Sequence, residues 1–271
     1  MLSDSNARLV AARRLTSPRG RREAGRFLAE GPQAVREALL RPGTVLELFA
    51  TVPAAQRYAD VLAHAPAGSV ALVSDRAAAA LSETVHPQGL IAVCASLQVS
   101  LADALARTPR LVVILVEAND PGNAGTILRT ADAAGAGAVL FTGDSVDPYN
   151  GKAVRASAGS LFHLDVVTGS ETGLDPAAAI AECRAAGLLT LATTGAATVD
   201  LDELIDQGRL RGRTAWIFGN EARGLPAELI RAADLPVRVP VHGRAESLNL
   251  AAAAAVCLYA SARANRLQPL S

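Results

Sequence analysis

Aromatic side chains are scarce, at 3% of 271 residues. The core must therefore be built from Ala, Val and Leu, and a surface that grips nucleic acid mainly by stacking bases on rings is disfavoured. Lysine is almost missing: of 26 basic residues, only Lys152 is not arginine. Arginine suits bidentate phosphate recognition, although so much alanine beside it also fits a GC-rich genome. Net charge is absent as well, formally zero, which argues against a uniformly basic nucleic-acid binder but not against a local patch. Cys94, Cys183 and Cys257 are far apart and lie in apolar surroundings. They read as small core hydrophobes in a reducing compartment, not as a disulfide or metal framework. His64, His86, His163 and His242 show no ligand spacing, so no metal is expected. The longest apolar run, 250–260, is too short to cross a bilayer. Arg8, Arg13 and Arg14 are not followed by the apolar stretch of a secretory leader. The expectation is a soluble, cytoplasmic protein with no membrane partner.

What is present is a basic start followed by two alternations of strands and helices. Residues 1–41 carry nine arginines against four acids, densest in R-R-L-T-S-P-R-G-R-R. That density makes Arg13, Arg14, Arg19, Arg21 and Arg22 candidate RNA contacts through phosphate; a solvated, mobile terminus is the competing reading. F-L-A-E-G-P-Q-A-V-R-E-A-L-L then reads as strand, turn and amphipathic helix, and V-L-E-L-F-A and L-I-A-V-C-A as further strands. This predicts a small α/β domain over 1–100, with a linker at 101–109. From Leu111, L-V-V-I-L-V is a continuous apolar run, the sign of a strand buried on both faces of a parallel sheet. Strands and helices alternate from there, so 110–271 is predicted to be a second α/β domain with a mostly parallel sheet.

A glycine pair in A-G-A-G-A-V-L-F invites a nucleotide-loop reading, but such a loop follows a strand and opens a helix. Gly135 and Gly137 instead close a helix and lead into a strand, and Gly135 reads better as a helix C-cap. Three other segments place polar and glycine residues just after an apolar run, where α/β sheets build their sites. They are N-D-P-G-N-A-G-T-I-L-R-T-A-D, W-I-F-G-N-E-A-R-G-L-P and V-P-V-H-G-R-A-E-S-L-N-L. In the first, Asn123 and Arg129 are six apart and converge only if Asn123 lies in the loop and Arg129 about one turn into the helix. A structural reading pairs Arg129 with Asp132 instead. In the second, Glu221 and Arg223 are either a surface pair or partners for a polar ligand. In the third, Ser247 or Asn249 stands where a helix N-cap belongs, ahead of an alanine-rich helix. Three such loops in one domain suggest one shared pocket.

In this order the three loops resemble the SpoU (TrmH) family of the SPOUT superfamily, over most of residues 108–266. The N-terminal F-L-A-E-G-P-Q-A-V-R-E-A-L resembles the L30e-like substrate-binding domain of its rRNA-modifying members. The resemblance implies transfer of a methyl group from S-adenosylmethionine, without metal, to a ribose 2′-hydroxyl, most readily of 23S rRNA. A tRNA substrate, or a binding protein that has lost catalysis, are the alternatives. It also implies a trefoil knot and a homodimer through the C-terminal domain. By position it makes Arg129, Asn123, Glu221, Ser247 and Asn249 catalytic and has Gly219, Val239 and Leu248 hold the cofactor. Asn150, Lys152 and Arg155, in D-P-Y-N-G-K-A-V-R, become further RNA contacts.

Overall fold

A computed structural model describes residues 2–169 and 174–266. The chain opens with α1 (Ala7–Arg14), α2 (Pro18–Ala24), β1 (Arg26–Glu30), α3 (Pro32–Leu40) and β2 (Val45–Ala50). Next come α4 (Val52–Arg57), α5 (Ala59–Leu62), β3 (Val70–Leu72), α6 (Asp75–Leu81) and β4 (Leu90–Ala95). They are followed by α7 (Leu101–Ala106), β5 (Leu111–Val116), α8 (Pro121–Ala133), β6 (Ala138–Thr142), α9 (Gly151–Ala156) and β7 (Asp165–Thr168). The remainder is α10 (Pro176–Ala185), β8 (Leu189–Thr193), α11 (Leu201–Asp206), β9 (Thr214–Phe218), α12 (Ala227–Ala232), β10 (Leu235–Val237) and α13 (Leu250–Arg266). The described residues group into two compact bodies. One takes those up to Leu97 together with Asp147–His163; the other takes Gln98–Val146 and those from Leu164 onward.

The first body is a four-stranded sheet in the order β1-β4-β2-β3, with β4 antiparallel to both neighbours and β3 parallel to β2. Its arginine-rich start is folded, not loose. Asn6 and Ser17 cap α1 and α2 through their side-chain oxygens, which satisfies amides that helix starts leave unpaired. Leu9, Ala12 and Leu15 then bury one face of this segment with Leu28, Phe49, Leu81 and Ile91. Arg21 is drawn inward too: its Nε donates to Asp147 at 2.7 Å, and Nη1 donates to the carbonyls of Leu15 at 3.0 Å and Thr16 at 3.2 Å. At 5% exposure it is no RNA contact. A guanidinium this buried serves as an internal tie, because leaving it unpaired would be costly. The Asp147–His163 segment joins this body through rings, with Tyr149 and Phe162 lying 4.8 and 6.0 Å from Phe27 between centroids.

The second body is a six-stranded, wholly parallel sheet in the order β10-β8-β9-β5-β6-β7. The apolar runs that predicted doubly buried strands are its centre: every residue of β5 and β9 is buried. Val112, Ile114 and Val116 pack with Ala179, Ile180 and Cys183 of α10. Strand alternation turns Val113 and Leu115 to the opposite face, which goes to α13, itself packed along α8. The expected linker is largely helix. Ser100 caps α7, whose Ala104 and Leu105 enter the core, the spacing that an apolar helix face requires. Gly135, at φ +78°, follows α8 as the helix terminator its position implied. No helix among the described residues is long and apolar enough to cross a membrane.

One buried polar contact fixes the rotation of α13 on the sheet. Ser261 Oγ accepts from Trp216 Nε1 at 2.8 Å and from Thr214 Oγ1 at 3.2 Å. Ser261→Ala should leave the indole N–H buried and unpaired, at a cost of about 1–3 kcal/mol. The expected result is a clear fall in melting temperature by calorimetry with little change in far-UV circular dichroism.

Candidate active site

The three loops lie where parallel sheets place their sites, at the carboxyl ends of β5, β9 and β10. In the first, Asp120 caps α8 by accepting from the Asn123 N–H at 2.8 Å, with Pro121 opening the helix. Asn123 is therefore already the third helical residue. Its Nδ2 donates to Glu221 Oε1 at 3.2 Å, and its Oδ1 accepts from Asn249 Nδ2 at 3.1 Å. The Glu221 carboxylate also receives the main-chain N–H groups of Asn119 and Asp120, each at 3.2 Å. Asn249 is the N-cap of α13, its Oδ1 accepting from Ala251 at 2.9 Å and Ala252 at 3.3 Å. That settles the choice between Asn249 and Ser247. A chain of side chains, Glu221–Asn123–Asn249, thus joins all three loops. Partial burial pushes the Glu221 carboxyl up, but the hydrogen bonds it accepts outweigh this and hold it below its ordinary value.

The second loop folds back on itself, with Asn220 N–H donating to Gly224 O at 3.1 Å and Gly224 N–H to Asn220 O at 2.8 Å. A side chain at Gly219 would overlap the main chain of Gly224 and Leu225, so only glycine fits there. Asn220, which the sequence reading passed over, is 8% exposed. Its Nδ2 donates to Glu117 O at 2.7 Å, and its Oδ1 accepts from the Ala222 and Arg223 N–H groups at 3.0 and 3.1 Å. The asparagine of G-N-E was the available signal, since this residue often ties loops through its own amide. Arg223 pairs not with Glu221 but with Glu117, at 2.6 Å.

A cavity of about 810 Å³ opens beside these loops, bounded by Phe218, Gly219, Leu225, Val239, Ser247 and Leu248 among others. That size suits a cofactor. From Val239 to Leu248 the main chain makes no backbone–backbone hydrogen bond among the described residues, so its amides and carbonyls are available to a ligand. Apolar walls plus available main chain fit the nucleoside of S-adenosylmethionine. A shallower concavity of about 670 Å³ meets it, lined by Asn119, Asp120, Asn123, Asn220, Glu221 and Asn249.

Arg129 does not join them. Both it and Asn123 belong to α8, and six helical residues separate them by roughly 120° around the axis. Arg129 is exposed, and no hydrogen bond or ion pair holds it among the described residues, so the pairing with Asp132 is not formed. In the other body Arg13, Arg14, Arg19 and Arg22 are exposed, Arg19 pairing with Glu23 at 2.6 Å. Asn150 caps α9, Lys152 stands exposed in its first turn, and Arg155 lies 3.5 Å from the Glu30 carboxylate.

Known proteins match the chain along its length. The profile of the SpoU rRNA Methylase family matches residues 110–259, and that of the MRM3-like substrate binding domain matches residues 6–92. The chain is 34% identical to the 23S rRNA (guanosine(2553)-2′-O)-methyltransferase RlmP of Bacillus subtilis, over 95% of this chain and 96% of that protein. Its fold is similar to an AdoMet-bound rRNA methyltransferase from Sinorhizobium meliloti, with a TM-score of 0.83 at 31% identity over 99% of this chain and 98% of that one. It is also similar to the SpoU methyltransferase AviRb from Streptomyces viridochromogenes, with a TM-score of 0.81 at 26% identity over 95% of this chain and 97% of that one.

Because its folded-state pKa is depressed, the Glu221 carboxylate contributes stability above its ordinary value of 4.5 and loses it as the pH falls through the folded value. Glu221→Gln should therefore flatten the acid limb of a plot of melting temperature against pH. An unchanged acid limb would mean that the carboxylate is not held by these donors.

Proposed function

This chain belongs to the SpoU rRNA methylase family, and on that premise we propose that it methylates a ribose 2′-hydroxyl of 23S rRNA at the three-loop site. It is an S-adenosylmethionine-dependent RNA methyltransferase. The observation that carries the assignment of residues is the Glu221–Asn123–Asn249 chain, which joins three separate loops beside a cofactor-sized cavity. A binding protein freed from catalysis would have no need of that arrangement. Gly219, Val239 and Leu248 hold the cofactor largely through the main chain, with Ser247 at the same wall. When bound, the cofactor supplies a methyl group on a sulfonium, open to in-line displacement without a metal.

What remains for the protein is to orient the hydroxyl and to manage its charge, and orientation alone can lower such a barrier by several kcal/mol. Glu221 orders the loops: its oxygens already accept three N–H groups, so it is poorly placed to take the hydroxyl proton. Arg129 carries the charge-stabilising role, since a guanidinium is a poor base but a good partner for a phosphate or a developing alkoxide. Its place on a different face of α8 from Asn123 calls for a second copy. α13 exposes Val256 (44%) and Tyr259 (54%), and α8, packed along it, exposes Arg129. A homodimer through these two helices covers the apolar pair and delivers Arg129 to the partner's loops. In the N-terminal body, Arg13, Arg14, Arg19 and Arg22 with Asn150, Lys152 and Arg155 supply the phosphate contacts to RNA. The cytoplasm is where such a substrate is met.

Mass-spectrometric mapping of 23S rRNA from cells with and without the gene tests this reading. One nucleotide should lose its methyl, and with it its resistance to alkaline cleavage, when the gene is deleted. A methyl found on a base nitrogen or on tRNA would overturn it. Arg129→Ala should lower turnover by about 10²-fold or more, with melting temperature and dimer mass unchanged. Loss of the dimer in that variant would make Arg129 structural instead.

A further inference from the structure

Glu117 comes directly after β5 with φ at +51°, a left-handed conformation that strains a non-glycine residue and persists only where its surroundings impose it. Three contacts do so here. Its N–H donates to Thr142 O at 3.2 Å, its carbonyl accepts from Asn220 Nδ2 at 2.7 Å, and its carboxylate accepts from Arg223 Nη2 at 2.6 Å. Gly143 leaves the side chain its path, since a Cβ at 143 would stand 3.0 Å from Glu117 Cγ. The ion pair adds little stability, because the Arg223 side chain is 70% exposed and that of Glu117 38%. A strained backbone fastened by a weak exposed pair makes little sense as a stabilising device. It does make sense as a means of aiming the first loop.

Two and three residues further on in that loop stand Asn119 and Asp120, whose N–H groups meet Glu221. The two loops are tied reciprocally: the carboxylate of the first binds the arginine of the second, and the carboxylate of the second binds the amides of the first. We propose that Glu117 is a positioning residue for methyl transfer. Its left-handed turn directs the two amides at Glu221, and its carboxylate fastens the Glu221 loop through Arg223. Asn123, and through it Asn249, are then held in register. This rests on the assignment of Asn123, Glu221 and Asn249 to the transfer site. An error near 1 Å in such a site can cost on the order of 10²-fold in rate.

The test uses the full-length chain with a 23S rRNA transcript, measuring kcat, the S-adenosylmethionine Kd by calorimetry and the melting temperature. Glycine adopts the left-handed turn without strain, so Glu117→Gly should melt no lower than the parent and bind S-adenosylmethionine within about twofold, while kcat falls about tenfold or more. Glu117→Gln, whose amide oxygen still accepts from Arg223, should recover most of that loss. Glu221→Ala is the companion variant. If it loses turnover while Glu117→Gly keeps kcat within about twofold, this inference alone is overturned. If both keep turnover, the site assignment falls and this inference with it. A large drop in melting temperature for Glu117→Gly, or an equal kcat loss for Glu117→Gln, would also overturn it.

Discussion

The Glu221 carboxylate sits where two main-chain amides of the first loop and the Asn123 side chain can all donate to it, and Asn249 reaches the group only through Asn123. Hydrogen bonds to an ionised acceptor are roughly twice as strong as neutral ones, so this anion is the natural assembly point for the three loops, the first two of which are also tied through Glu117. Strand order explains why one is needed. β10 lies at the edge of the sheet, with β8 and β9 between it and β5, a lateral distance of roughly 14 Å at the usual strand spacing. The stretch from Val239 to Leu248 covers that gap without backbone pairing among the described residues. Its far end is anchored where Asn249 both caps α13 and meets Asn123.

That economy has a chemical side. A backbone segment without internal hydrogen bonds is paired with water until something better arrives, and it presents donors and acceptors along its length. The pocket wall is thus polar through its main chain and apolar through Phe218, Leu225 and Leu248, the mixture that a nucleoside demands. Charge is divided between the two bodies in the same spirit. The chain is neutral overall, yet its N-terminal helices expose a cluster of arginines, while the three-loop site is organised around an anion.

Much of this was legible in the residues. The runs L-V-V-I-L-V and A-W-I-F announced doubly buried strands because only apolar side chains survive there, and Gly135 announced a helix end because it comes after an apolar helical pattern. The three loops could be found because glycine and short polar residues cluster after those runs. What stayed hidden depends on long-range partners. Arg21 looks like its arginine neighbours, yet Asp147, 126 residues away, and the carbonyls of Leu15 and Thr16 make it internal. Arg223 stands two residues from Glu221 but is taken by Glu117, 106 residues earlier. Helix α7 was lost among polar linker residues, although Ser100 and the Leu101–Ala104–Leu105 spacing carry its signal. The positive φ of Glu117 has no sequence signature, since glycine is the residue one would expect there.

The Asp147–His163 segment has a consequence for anyone who would take the molecule apart. Along the chain it lies between β6 and β7 of the parallel sheet, yet its Tyr149 and Phe162 rings, and Arg41's bond to the Phe162 carbonyl, belong to the N-terminal body. Cutting near residue 100 to obtain a free catalytic half would strip those rings of their cover and leave Asp147 without its buried guanidinium. Such a fragment should be sticky and poorly soluble. An exchange of substrate-binding domains between relatives would need three junctions, after Leu97 and on either side of 147–163, to carry each piece with the body that buries it.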